Sequence, residues 1–155
     1  MPEQTPMIME WQRDTYIIST DTKWIDREMV HQYLSEESYW AKNIPFEVVS
    51  RSIDHSLCFG VYEEGPEMVG FARVLSDYAT FAYIMDVFIL PPSRGLGLSK
   101  WLMECILTHP DLQNLRGWSL KTTDAHGLYR QFGFQLAKHP EKIMERVQLD
   151  PYAGS

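Results

Sequence analysis

Residues 81 to 107, FAYIMDVFILPPSRGLGLSKWLMECIL, constrain the fold more than any other stretch. An apolar run stops at Pro91 and Pro92, passes through Arg94-Gly95-Leu96-Gly97, then resumes with apolar residues at helical spacing. Those residues are Leu98, Trp101, Leu102, Cys105 and Ile106. The pattern predicts a strand over 84–90, a tight turn, and a helix over 97–109 that Pro110 ends. A strand feeding straight into a helix is the first half of a crossover unit, which requires a parallel neighbour strand soon afterwards. The segment LRGWSLKTT at 115–123 supplies it, so a right-handed βαβ crossover spans about residues 84–120.

The remaining elements follow from periodicity. TYIIST at 15–20 reads as a strand. DTKWIDREMVHQYLSE reads as a helix capped by Asp21, with Trp24 and Tyr33 most simply core residues. After Pro45, Phe46, Val49 and Ile53 share one face of a second helix, and the aromatic link between the two helices is placed to wall a pocket. SLCFGVYEEG, EMVGFARVLSDYA and FAYIMDVFIL are three closely spaced strands, hence an antiparallel meander, with Gly70 marking a bend or bulge. DAHGLYRQFG is a short helix with Asp124 as its cap and Gly133 as its terminator. FQLAKHP and IMERVQLD then complete seven strands. The order β-α-α-β-β-β-α-β-α-β-β gives a mixed α/β sheet with helices on its faces, in a single domain over 1–155.

Composition removes several function classes. A formal net charge of −7 leaves no basic stripe for nucleic acid and tilts the protein toward cationic small molecules. The five histidines show no metal-ligand spacing, so no metal is expected. No apolar run is long enough to span a membrane, and the opening residues lack a basic region followed by an apolar core. Cys58 and Cys105 sit in apolar surroundings as small core residues, which fits a reducing, cytoplasmic setting.

The glycine turn has two readings. A phosphate could rest on the free amides of the helix start, or the turn could be purely structural. The common phosphate loops do not fit: Lys100 is misplaced for a Walker A loop, and it also occupies the third glycine position of a dinucleotide fingerprint. What remains is a helix N-terminus whose amides and dipole suit a pyrophosphate, with Arg94 able to add charge or to stay in solvent.

The run from Ile89 through Pro91, Arg94-Gly95-Leu96-Gly97 to Ser99 resembles the acetyl-CoA signature of the GNAT acyltransferase superfamily. Its second block also appears, as Ala125-His126-Gly127-Leu128-Tyr129 followed by Gly133-Phe134. The resemblance covers nearly the whole chain, and Ser99 departs from it by standing where glycine or alanine is usual. It implies that the central strands splay and that the pantetheine arm of acetyl-CoA lies along the backbone of Val87, Phe88 and Ile89. The pyrophosphate would then sit on the amides of Arg94, Gly95, Leu96, Gly97, Leu98 and Ser99. It also implies acetyl transfer to a primary amine by direct attack in a ternary complex. Family members of this size are often homodimers, for which IMERVQLDPY could offer an exposed strand.

Such chemistry needs a neutral amine, a donor for the charge growing on the carbonyl oxygen, and a proton for the leaving thiolate. Tyr129 is the acid that the resemblance implies; its plainer alternative is a packed ring whose hydroxyl bonds to the backbone. The oxyanion donor would be the N–H of Val87 or Phe88. Asp86 is the candidate base through water, or else a structurally paired carboxylate. Alternation places it on the face of Ile84 and Phe88. Glu36, Glu37, Tyr39, Asp77 and His126 are weaker base candidates. The acceptor, a small-molecule or peptide amine, would meet Trp24, Tyr33, Tyr39, Trp40 and Tyr78, with Glu36, Glu37 and Asp77 drawing its charge. Two other functions compete: a catalytically silent acyl-CoA-binding sensor, and a protein-interaction domain with an accidental glycine turn.

Overall fold

The structure, a computed structural model, describes residues 6–153. The first five residues of the polar leader lie outside it. One sheet contains six strands in sequential order: β1 (Glu10–Arg13), β2 (Tyr16–Ser19), β3 (Leu57–Glu63), β4 (Glu67–Ser76), β5 (Phe81–Ile89) and β6 (Gly117–Leu120). β1 to β5 are antiparallel, and β5 pairs with β6 in parallel through the expected crossover. Among the described residues four α-helices accompany the sheet: α1 (Arg27–Gln32), α2 (Phe46–Asp54), α3 (Leu98–Thr108) and α4 (His126–Arg130). None is long and apolar enough to cross a membrane.

Alternation along β3 and β4 sorts the core into two layers. Leu57, Phe59, Val61, Ala72 and Val74 face α3, where they meet Leu98, Trp101, Leu102, Cys105 and Ile106. Cys58, Tyr62, Met68 and Phe71 face the other way, onto Val30 of α1, Leu34 just beyond it, and Val49 and Ile53 of α2. Both cysteines are free and buried, and burial pushes each thiol up to about 12, so neither is reactive at neutral pH. Leu102 is fully enclosed between α3 and the sheet. Leu102→Ala should therefore lower unfolding stability by about 2–5 kcal/mol in a urea titration.

Several sequence expectations need correction. Asp21 caps only a 3-10 turn at Thr22–Trp24; Asp26 caps α1 by accepting from Met29 N–H at 3.1 Å. Trp24 lies in that turn, 57% exposed, rather than in the core. β1 was not expected. It forms because Asp14 accepts a left-handed φ of 54° in the hairpin, which lets Trp11 stack on Phe59. Asp124 does not cap α4; Thr122 Oγ1 accepts the Ala125 N–H instead, at 3.0 Å. Gly133 does follow that helix with φ +87°.

The two strands expected after residue 133 are absent and β1 is gained, so the described residues form six strands rather than seven. Residues 135–153 carry turns and one 3-10 turn at Pro140–Lys142, while Leu136, Ile143, Met144, Val147 and Leu149 stay exposed. Pro140 and Pro151 remove two backbone donors from this stretch, and its alternating residues join neither core layer. Alternation records a preference for a ladder but supplies no partner strand.

Candidate active site

β5 and β6 pair over four positions only, from Phe81↔Gly117 to Ile84↔Leu120. β5 then continues to Ile89 without β6 beside it, so the sheet splits there. On its other edge β5 carries a bulge. Phe71 pairs with Phe88 and Arg73 with Met85, which leaves one extra residue on β5 and puts Asp86 and Val87 outside both ladders. Asp86 takes φ +55° to accommodate this. The bulge inverts the alternation beyond it. Ile84 faces α3 whereas Phe88 faces α1 and α2, so the shared face expected for Asp86, Ile84 and Phe88 does not exist.

Asp86 instead turns to Arg73 on β4. Nε of Arg73 donates to Oδ2 at 2.8 Å, and the two side chains are only 11% and 8% exposed. Nη1 of Arg73 also donates to Ser56 Oγ at 3.1 Å. The other carboxylate oxygen, Oδ1, accepts the indole N–H of Trp40 at 2.9 Å. Both oxygens are thus engaged in fixing the bulge and the aromatic link above it.

At the far end of β5 the chain passes a 3-10 turn, Pro91–Ser93, and enters α3 through Gly95 and Gly97, with φ of +81° and +78°. An added Cβ at either glycine would point into open space, so glycine is needed there for its left-handed backbone. Among the described residues, none of the six amides from Gly95 to Lys100 donates to a protein acceptor. Successive free amides at the start of an eleven-residue helix form an anion cradle. Arg94 folds back from it, donating to Ile89 O at 2.9 Å and to Tyr33 Oη at 3.1 Å. Tyr33 in turn stacks on Phe88 with ring centroids 3.9 Å apart.

A cavity of about 490 Å³ occupies the split. Its walls are Tyr83 to Val87 of β5, Leu120 at the end of β6 with the following residues to Ala125, Tyr129 of α4, and Tyr39 with Trp40 from the early helical link. The link bridges the gap: Trp40 reaches β5 through Asp86, and Tyr39 Oη accepts the Thr123 N–H at 3.1 Å on the other side. Tyr129 is 8% exposed, with its ring edge-on to Phe134 at 6.0 Å. Its hydroxyl has no hydrogen-bond partner among the described residues. The backbone bond that a merely packed tyrosine would make is therefore missing.

Burial, helped by Tyr39 and Asp124, pushes the Tyr129 phenol up to about 12. Unfolding returns it to about 10, so its contribution to stability is complete below pH ~10. That contribution is lost as pH rises from there through the folded value. Tyr129→Phe should therefore flatten this part of the alkaline stability decline, read from urea melts between about pH 9 and 12.

The other sequence candidates scatter. Asp77 is held in its own turn by Ala79, Thr80 and Phe81 N–H groups, and the Thr80 hydroxyl bond leads in holding its carboxyl well below the usual range. Glu36, Glu37, Trp24 and Tyr78 do not line the cavity, and His126 lines a neighbouring one of about 390 Å³. Arg73 and Asp124 were missed. The available signal for Arg73 was a lone cation inside the apolar strand VGFARVL.

The sequence profile of the Acetyltransferase (GNAT) family matches residues 6–134. The crystal structure of a candidate GNAT acetyltransferase from Xanthomonas campestris pv. campestris is 49% identical and has a TM-score of 0.87. The match covers 92% of this chain and 99% of that one. A Gibberella zeae protein named as a candidate acetyltransferase is 29% identical over 143 residues, 77% of this chain and 78% of its own. A Clostridium acetobutylicum protein described as a candidate acetyltransferase with acetyl-CoA shares the fold, with a TM-score of 0.64 at 17% identity, covering 85% of this chain and 94% of that one. A split sheet, a free-amide turn and a profile match across most of its length agree: this chain belongs to the GNAT acetyltransferase family.

Proposed function

We propose that the protein is an N-acetyltransferase that moves the acetyl group of acetyl-CoA to a primary amine by direct attack in a ternary complex. The observation that carries this reading is the run of free amides from Gly95 to Lys100, reached along the stretch of β5 that has no β6 partner. Those amides suit a pyrophosphate, and the backbone of Val87, Phe88 and Ile89 suits an extended amide-bearing arm. Arg94 supports the turn from behind and orients Tyr33.

Acetyl-CoA, when bound, supplies an activated thioester. The chain's own part is to orient, to stabilise charge and to move a proton. The N–H of Val87, outside both ladders, is the one offered to the carbonyl oxygen as negative charge develops there, since Phe88 is paired with Phe71 on β4. As the nitrogen–carbon bond forms and the carbon–sulfur bond breaks, the amine sheds a proton and sulfur requires one. A thiol near ~8.5 is a stronger acid than Tyr129 at about 12. Tyr129 therefore serves as a relay: it donates to sulfur as its own oxygen is refilled from the acceptor side. Asp86, held at both oxygens, positions Trp40 and the bulge, and the incoming ammonium loses its first proton to water.

Amine-dependent release of free thiol from acetyl-CoA tests this directly. Gly97→Val, which forces a β-branched residue to φ +78°, should weaken coenzyme affinity by more than about tenfold, or ~1.4 kcal/mol. Equal affinity by calorimetry in the folded variant would reject the placement. Tight coenzyme binding without thiol release to any amine would favour a silent acyl-CoA sensor.

A further inference from the structure

The rim of the cavity and its charges narrow the acceptor, an inference that rests on the activity proposed above. Tyr39 and Trp40 are 56% and 41% exposed, yet they are fixed edge to face with centroids 5.0 Å apart and tied to opposite banks of the split. Two rigid aromatic rings left open beside a cavity form a ready surface for an apolar body. Tyr83, Ile84, Met85, Val87 and Leu120 continue that surface inward.

The charges facing the cavity are Asp86, Asp124 and Lys121. The Lys121 ammonium pairs with Glu145, and the nearby Arg73 guanidinium is turned onto Asp86. Asp124 has no ion-pair partner among the described residues. The cavity thus offers a carboxylate and aromatic faces to an ammonium group, while its one lining cation, Lys121, is already paired with Glu145. A substrate carboxylate or phosphate would lose water without gaining a counter-charge, and it would meet Asp124 and an overall charge of −7.

We infer that the acceptor is a lipophilic primary amine with no carboxylate or phosphate close to its amino group. Matched pairs test this on the full chain: phenethylamine against phenylalanine, and glucosamine against glucosamine 6-phosphate. Within each pair the partner lacking the anion should have the higher kcat/KM by about tenfold or more, and phenethylamine should exceed glucosamine. Equal or reversed ratios overturn the inference while leaving acetyl transfer intact.

Trp40→Ala should raise the KM for phenethylamine about tenfold and leave the KM for acetyl-CoA unchanged; an unchanged amine KM overturns the role of the rim. Binding is read separately, by the rise in Tm that each amine produces with coenzyme A present. Phenethylamine should raise Tm at concentrations where phenylalanine does not. If that contrast holds without thiol release, the proposed activity fails and the amine selectivity stands. If phenylalanine stabilises as well as phenethylamine, the selectivity fails.

Discussion

Tyr129→Phe is expected to lower turnover by roughly 10²-fold or more while leaving affinity for acetyl-CoA nearly unchanged. The substitution removes a hydroxyl that has no hydrogen-bond partner among the described residues, so no other group loses one. The ring still meets Phe134 edge-on, and folding should survive. Because the phenol is pushed up to about 12, it keeps its proton through the usual assay range. The parent's kcat/KM should therefore rise with pH as the amine loses its proton, then stay level past pH ~10, where an ordinary phenol would begin to ionise. Turnover of the folded variant within about threefold of the parent, with chemistry limiting, would remove Tyr129 from the reaction.

Arg73→Met is expected to cost about 3–5 kcal/mol of unfolding stability in a urea titration, because it leaves Asp86 charged and unpaired in a buried setting. Asp86→Asn should be damaging for the converse reason, leaving the Arg73 cation uncompensated. Asparagine tolerates the φ of +55° at this position and can still accept from Trp40, so the loss reports the charge rather than the backbone. The double variant should recover most of the combined loss, because no buried charge then remains. If each single variant costs under about 1 kcal/mol, the pair is solvated, and Asp86 returns as a candidate base.

The parts of this molecule that were legible in its sequence are those fixed by local chemistry. Prolines and glycines at 91–97 forced a turn between an apolar strand and an amphipathic helix, and α3 buries the face that its spacing selected. Tyr129 and the aromatic link also reached the cavity as read. The bulge was not legible, because IMDVFIL alternates as well with an inserted residue as without one until its partner strand is known. The Arg73–Asp86 pair spans 13 positions of sequence and two strands, so only the presence of a charge in each strand hinted at it. IMERVQLD has the alternation of a strand but lies where no ladder receives it.

Residues 117–153 join the remainder of the protein through four parallel pairs, the packing of Tyr129 and its apolar neighbours on the α3 layer, the packing of Tyr152 on the α1–α2 layer, and the bond between Tyr39 and the Thr123 amide. β3, β4 and the Phe81–Ile84 part of β5, by contrast, have neighbours on both edges and the two core layers on their faces. Hydrogen exchange should divide accordingly. Amides of the C-terminal third should trade with solvent through brief local openings, and those of the central strands only when the whole domain unfolds. Parting the split breaks a four-pair ladder and the Tyr39–Thr123 bond and shifts Tyr129 at the edge of the α3 layer, while the ladder between β3 and β4 is left intact. A long ligand can thread between β5 and β6 through a motion that costs far less than the stability of the fold.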